Sequence, residues 1–128
     1  MLHTSAFSRL PVRAALMLSL VAACASWREL PPVPPARMTV CEENTARICG
    51  TFRWTGSEYA ASWADGATAR VRVAKFTSHE IELRREDSGQ NSDFTAQYSG
   101  TVRGRTAGGF VVWTQNDRSW EGTWTAEW

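Results

Sequence analysis

The chain has 128 residues, enough for one domain, and 43% of them are hydrophobic, which argues against disorder of the whole chain. Its 14 basic residues nearly balance its 13 acidic ones, so it lacks the basic excess of a general nucleic-acid binder. Seven tryptophans are many for this length, and six of them fall in the strands predicted below.

The first 23 residues have the organisation of a secretory signal. Arg9 and Arg13 are the only charged side chains of a short N-terminal segment, and residues 14–23 form a largely apolar run. This run is shorter than the ~20 residues that a membrane-spanning helix needs. We therefore expect residues 1–23 to be a signal peptide that is removed on export.

The end of the apolar run, Val21-Ala22-Ala23-Cys24, resembles the lipobox of bacterial lipoprotein precursors. The resemblance implies that Cys24 carries a diacylglycerol and that the chain is cut before Cys24 and acylated there. Because Ala25 replaces the Asp that favours inner-membrane retention in that family, it also implies the outer membrane. An ordinary signal-peptidase site at Ala23-Cys24-Ala25 is the alternative. The resemblance covers residues 1–24 and concerns targeting only.

Residues 24–37 are expected to form a Pro-rich tether between the lipid and the folded domain. Four of the five prolines lie in Pro31-Pro32-Val33-Pro34-Pro35, a sequence typical of a semi-rigid polyproline-II spacer. The domain itself is then residues 38–128.

Two cysteines remain once Cys24 is modified. Cys41 and Cys49 stand at the two ends of a nine-residue segment. In an exported protein such a pair is expected to form a disulfide rather than a metal site.

From residue 48 onwards the pattern is β, with apolar and polar residues alternating and turn residues at roughly ten-residue intervals. The final strand shows it best, since Trp120, Gly122, Trp124, Ala126 and Trp128 alternate with polar residues. A β-bulge is expected near residues 74–75, where the alternation changes phase. Turns are expected at residues 55–57, 65–66 (type I′), 87–93, 107–109 and 115–118.

The pattern predicts an all-β domain, a small antiparallel up-and-down meander of about seven to eight strands. It closes into a barrel or folds over as a sandwich. With seven strands, the first and the last would run parallel. An eighth strand at residues 37–42, or a bend that splits residues 94–102, would remove this difficulty, and the sequence does not choose between them.

No constellation of residues identifies a reaction. His79, the only histidine left after export, lies in a predicted hairpin turn without a nucleophile or a second histidine at metal-ligand spacing. Glu86, Asp87 and Asp93 flank one loop but lack the spacing of a calcium loop. We therefore predict no enzyme activity, no metal and no cofactor.

The remaining charges are expected to form a solvated outer face. Arg70, Arg72, Arg103 and Arg105 share the outward side of the alternation, with Arg84 and Arg85 nearby. An anion-binding patch is the alternative to a face balanced by Glu80, Glu82 and Glu86.

The aromatic side chains fill the barrel interior or line a pocket for an apolar ligand, as in lipocalin-like barrels. The candidate lining residues are Trp54, Trp63, Tyr98, Trp120 and Trp124.

The sequence thus predicts an exported, lipid-anchored protein with a non-enzymatic binding or envelope-structural domain. Its partners would be the membrane, through the anchor, and an apolar small molecule or an envelope protein, not nucleic acid. The overall plan is similar to that of the periplasmic inhibitors of lysozyme. Their Ser-Gly-x-x-Tyr-type motif is not matched, and residues 95–98 share only its tyrosine. A small envelope hydrolase is the other class, which a cleft with convergent acids would support.

Overall fold

Alternating inward and outward side chains build eight antiparallel strands in the computed structural model, which describes residues 32–89 and 93–128. The strands are β1 Arg37–Glu43, β2 Arg47–Trp54, β3 Tyr59–Trp63, β4 Thr68–Phe76, β5 Glu80–Asp87, β6 Thr95–Arg103, β7 Thr106–Gln115 and β8 Arg118–Glu127. The predicted signal peptide, Cys24 and the tether up to Pro31 lie outside the described residues. Within the described ranges no helix is long and apolar enough to cross a membrane.

The sheet closes into a barrel because the first strand pairs with the last. Each strand pairs with its neighbour in sequence, and β1 also pairs with β8 from Thr39↔Glu127 to Glu43↔Thr123. The predicted all-β class is confirmed, and the open alternatives resolve to eight strands, a barrel and an added first strand at residues 37–43. Closure leaves every strand paired on both sides, which removes the exposed edges of an open sheet.

The middle of the barrel is filled by aromatic side chains. Phe52 lies with its ring centroid 5.9–6.3 Å from those of Tyr59, Trp63 and Tyr98, and Tyr98 in turn packs against Trp124 at 5.5 Å. Phe52, Tyr59, Tyr98 and Trp124 are among the largest fully buried side chains. The inward face of the alternation is therefore mainly a packed core at this level.

Several local predictions are confirmed. The register of the β4–β5 pair shifts between Val73 and Lys75, which is the expected bulge. A two-residue turn at Asn116-Asp117 joins β7 to β8, and both residues have the positive φ of a type I′ turn.

Two predicted turns differ from the structure. The β6–β7 turn is at Gly104-Arg105, where Gly104 has a φ of 60°, and residues 107–109 belong to β7. Gly109 lies inside β7, at a position that requires glycine because Ser99 and Gly100 of β6 leave no room for a Cβ. In the β3–β4 turn only Gly66 has positive φ, and its N–H donates to Trp63 O at 3.0 Å, so this is not a type I′ turn.

The predicted disulfide is present and links β1 to β2. Cys41 and Cys49 are directly opposed in the register, and their sulfurs are bonded. Val40 and Glu42 point inward, so the bridge lies on the outer surface of the barrel. A loop of this length contributes ~2–3 kcal/mol by restricting the unfolded chain.

The two ends of the barrel are built differently, and we call them the closed end and the mouth. The closed end holds the start of β1 and the end of β8, and aromatic pairs cover it (Trp54 with Tyr59, and Phe76 with Trp128). There the Tyr59 hydroxyl donates to Pro35 O at 2.7 Å, and Trp54 N donates to Ala36 O. The mouth lies at the opposite end, where β1, β3, β5 and β7 finish.

Candidate functional site

The mouth opens into a cavity of about 440 Å³. Its wall is largely aromatic, with Trp63, Phe94, Trp113 and Trp120, and its floor contains Glu42, Arg85 and Asp87. Asn44, Thr45, Asp65 and Gln115 form much of the rim. A concave, mainly apolar surface with a few convergent polar groups is the usual form of a small-molecule site.

The floor is an ion network that crosses the inside of the barrel. β1 and β5 are four strands apart in the closed sheet of eight, so they face one another. From β5, Arg85 Nη1 reaches Glu42 of β1 at 3.1 Å, while its Nε and Nη2 bind the two oxygens of Asp87 at 2.6 and 2.9 Å. These three side chains are no more than 8% exposed.

Tyr98 supports the network from below. Its hydroxyl donates to Glu42 Oε1 and accepts a hydrogen bond from Arg85 Nη1. All four carboxylate oxygens of Glu42 and Asp87 accept hydrogen bonds from Arg85. Among the described residues, no buried side-chain nitrogen or oxygen lacks a partner. The charges are therefore compensated as buried charges must be.

Two aromatic faces hold the guanidinium group in place. The Arg85 Cζ atom lies 3.9 Å from the ring centroid of Trp63 and 4.9 Å from that of Phe94. Such cation–π contacts are strongest where the cation is removed from water, as here.

A pair of stacked indoles continues the aromatic wall of the cavity. Trp113 and Trp120 are neighbours across β7 and β8, with ring centroids 6.2 Å apart and planes at 28°. Gly122 makes room for this pair, because a Cβ there would meet the Trp113 ring. Trp120 is 37% exposed and also contacts Phe94 edge-on, so it presents an accessible apolar surface at the mouth.

The network sets the ionisation of its buried groups. Burial lowers the pKa of Arg85, but its hydrogen bonds to Asp87 and Tyr98 and the charge of Glu42 outweigh that effect and raise the pKa overall. Burial, followed by the charge of Glu42, raises the pKa of Tyr98 well above its usual range. Arg85 is therefore charged, and Tyr98 is a neutral donor at physiological pH.

The structure separates the predicted lining residues into two groups. Trp63 and Trp120 line the cavity. Tyr98 and Trp124 are 1% exposed and belong to the core beneath it, and Trp54 lies at the closed end. The partial match to the inhibitor motif at residues 95–98 thus contains a tyrosine whose side chain is turned inward.

The predicted outer face of arginines holds, except for Arg85. Arg70 pairs with Glu58 and Arg72 with Glu86 on the exposed surface. Arg103 is on β6, two strands away from them, so the four arginines do not form one patch. His79 lies in the β4–β5 turn at the closed end, away from the cavity.

Sequence reasoning missed five side chains of the site, namely Glu42, Arg85, Asp87, Phe94 and Trp113. The signal for two of them was present, since Arg85 and Asp87 continue the inward alternation of Ile81 and Leu83. Over residues 32–89 and 93–128, no group of three His, Cys, Asp or Glu side chains is placed to hold a metal ion.

Comparisons with known proteins do not identify a relative. No protein-family model matches the chain, and neither the curated proteins nor the solved structures give a significant match.

Proposed function

We propose that the protein is an exported lipoprotein that uses the mouth of its barrel to bind a small, partly apolar molecule. The observation that carries the proposal is the cavity of about 440 Å³ with four aromatic side chains in its wall and a hydrogen-bonded polar floor. A pocket of this size matches drug-sized ligands.

The place where β1 begins determines from which end of the barrel the proposed lipid anchor would hold the domain. β1 begins at the closed end and ends at the mouth. Arg37 is the thirteenth residue after Cys24, a reach of up to ~40 Å if the segment is extended as polyproline II. A protein anchored through Cys24 would therefore be joined to the membrane from its closed end, with the mouth at the far end of the barrel.

The chemistry of the floor favours binding over hydrolysis. The cavity does bring two acids together, as a hydrolase requires. Each of their oxygens accepts a hydrogen bond from Arg85, and Glu42 also accepts from Tyr98. An acid or base that catalyses hydrolysis must exchange a proton with the substrate during the reaction, whereas these carboxylates hold the guanidinium group.

A neutral fluorescent dye tests the binding proposal. We expect N-phenyl-1-naphthylamine to bind the purified exported protein at a ratio of one to one with a blue-shifted, enhanced emission. Trp120→Ala should weaken binding at least about fivefold, because it removes an accessible aromatic wall. Native mass spectrometry of the protein taken directly from its host would reveal a retained natural ligand.

Phe110→Ala is the matched control. Phe110 is 69% exposed on the outer side of β7, so its loss removes an aromatic ring without touching the cavity. Equal dye binding by the wild type and the Trp120 variant, or an equal loss in both variants, would contradict a site at the mouth.

Cys24→Ala tests the anchor separately. We expect the variant to lose its acyl chains and to leave the membrane fraction, because one or more acyl chains supply the membrane affinity. A variant that stays in the membrane fraction would overturn the lipobox interpretation without affecting the binding proposal.

A further inference from the structure

We propose that the ligand of the mouth is an organic cation, a primary amine or ammonium group attached to a flat apolar body. This inference rests on the proposed binding function and names its ligand class. It follows from three properties of the cavity, which are its net charge, its hydrogen-bonding capacity and its aromatic surface.

The charges that line the cavity are predominantly negative. Glu42, Asp65 and Asp87 stand against the single guanidinium of Arg85, which leaves an excess of two negative charges. Arg118 does not line this cavity, but it lines an adjoining hollow that shares Gln115 and Trp120 with it. Low-dielectric walls strengthen the field of such a charge excess.

The hydrogen-bonding capacity of the floor favours a donor. Arg85 has five N–H groups, and Asp87, Glu42 and Tyr98 engage four of them. A ligand carboxylate or phosphate would therefore find only one N–H unless it broke the network. Glu42 Oε2 and both Asp87 oxygens each accept one hydrogen bond from Arg85, which leaves each of them a second lone pair for an ammonium group.

The aromatic surface fits the same ligand. Trp63 and Phe94 already hold one cation, the guanidinium of Arg85, on their faces. Trp120, which is 37% exposed and stacks on the buried Trp113, offers a further π-system beside Phe94. Tryptophan is the best aromatic partner for a cation, and a flat apolar group stacks on the same rings.

Three probes of one shape test the inference: 3-phenylpropylamine, 3-phenylpropan-1-ol and 3-phenylpropanoate. Binding to the exported protein, as its host processes it, is followed by tryptophan fluorescence and titration calorimetry at pH 7. We expect the amine to bind at least about fivefold more tightly than the alcohol. The carboxylate should bind most weakly, and raising the salt concentration should weaken only the amine.

Asp65→Asn supplies the variant. It removes a rim charge and keeps the side-chain oxygen that accepts from Ala67 N at 2.9 Å. We expect it to weaken the amine about two- to threefold and to leave the alcohol unchanged. The control, Asp117→Asn, removes a charge from a mouth-side turn outside the cavity and should alter neither probe.

The outcomes separate this inference from the proposed function. Equal binding of the three probes, or tightest binding of the carboxylate, would overturn the cationic ligand while leaving a binding mouth in place. Failure of all three probes to bind would also overturn the inference, and the neutral-dye experiment would then decide the binding function by itself.

Discussion

The two ends of the barrel are made from the same eight strands and the same alternation, yet they end in opposite chemistry. At the closed end, the inward positions hold aromatic side chains, and the hydrogen bonds run to backbone carbonyls such as that of Pro35. At the mouth, the last inward positions hold Glu42, Arg85 and Asp87, and aromatic side chains surround the opening above them.

This difference separates two uses of an aromatic residue. At the closed end the rings pack on one another and on the chain that enters β1, which buries apolar area and excludes water. At the mouth the rings pack on a charge and leave a space above it. The mouth therefore costs stability that a fully apolar lumen would not, because three charged groups are removed from water there.

The largest test of this contrast removes the centre of the network. Arg85→Met should lower the free energy of unfolding by about 3–5 kcal/mol, because Glu42 and Asp87 would be left buried without their partner. Unfolding in urea, followed by tryptophan fluorescence, measures the loss. Arg70→Met is the matched control, since Arg70 pairs with Glu58 on the exposed surface, and it should leave the midpoint almost unchanged.

Neutralising the acids at the same time sharpens that test. The triple variant with Arg85→Met, Glu42→Gln and Asp87→Asn should regain part of the lost stability, because no uncompensated charge is then buried. Equal instability of the single and the triple variants would show that Arg85 acts by filling space and not by compensating charge.

Alkaline pH probes both ends together through the only two tyrosines of the chain. Burial raises the pKa of Tyr59 at the closed end, and burial with the charge of Glu42 raises that of Tyr98 beneath the mouth. The ordinary pKa of a tyrosine, which applies to both side chains in the unfolded chain, is 10.0. Since the folded pKa values are higher, the stabilisation is complete below pH 10 and is lost as the pH rises towards them.

The absorbance of tyrosinate at alkaline pH, recorded beside the unfolding free energy, checks this prediction. Native protein at about pH 10.5 should show almost no tyrosinate, while in denatured protein roughly three-quarters of the tyrosine should be ionised, because this pH is half a unit above the unfolded pKa of 10.0. Tyrosinate that appears near pH 10 in protein that is still folded would contradict the burial of at least one hydroxyl.

The sequence was sufficient for the all-β antiparallel class, though not for the choice between barrel and sandwich, because alternation is local. Strict alternation in residues 120–128, the phase change at residues 74–75 and the Asn116-Asp117 turn each depend on neighbouring residues only. The first strand was left as one of two alternatives, since its role depends on meeting β8 more than eighty residues later.

The floor of the mouth was not predicted, because it depends on closure. Arg85 occupies an inward position, but an arginine is rarely buried unless it is paired. Its partner Glu42 is 43 residues away on the opposite wall. The alternation separates Arg85 from its neighbour Arg84, which points outward and is exposed, but it does not show which residue pairs with Arg85. The aromatic residues were predicted together as fillers or lining of the interior. Which of them belong to the core and which to the cavity depends on how far along the barrel axis each strand places them.

The smallest test compares the two tyrosine hydroxyls by the same substitution. Tyr59→Phe removes the hydrogen bond to Pro35 O at 2.7 Å and should cost about 1 kcal/mol, the usual value for a neutral bond. Tyr98→Phe removes a donor to the charged Glu42 and should cost about 1.5–3 kcal/mol. Urea unfolding of the two variants beside the wild type measures the difference, with equal urea dependence as the check that both remain two-state. A larger loss of unfolding free energy for Tyr59→Phe than for Tyr98→Phe would contradict the charge-assisted hydrogen bond from Tyr98 to Glu42. The single polar contact of the closed end would then contribute more stability than the contact of Tyr98 with the floor of the mouth.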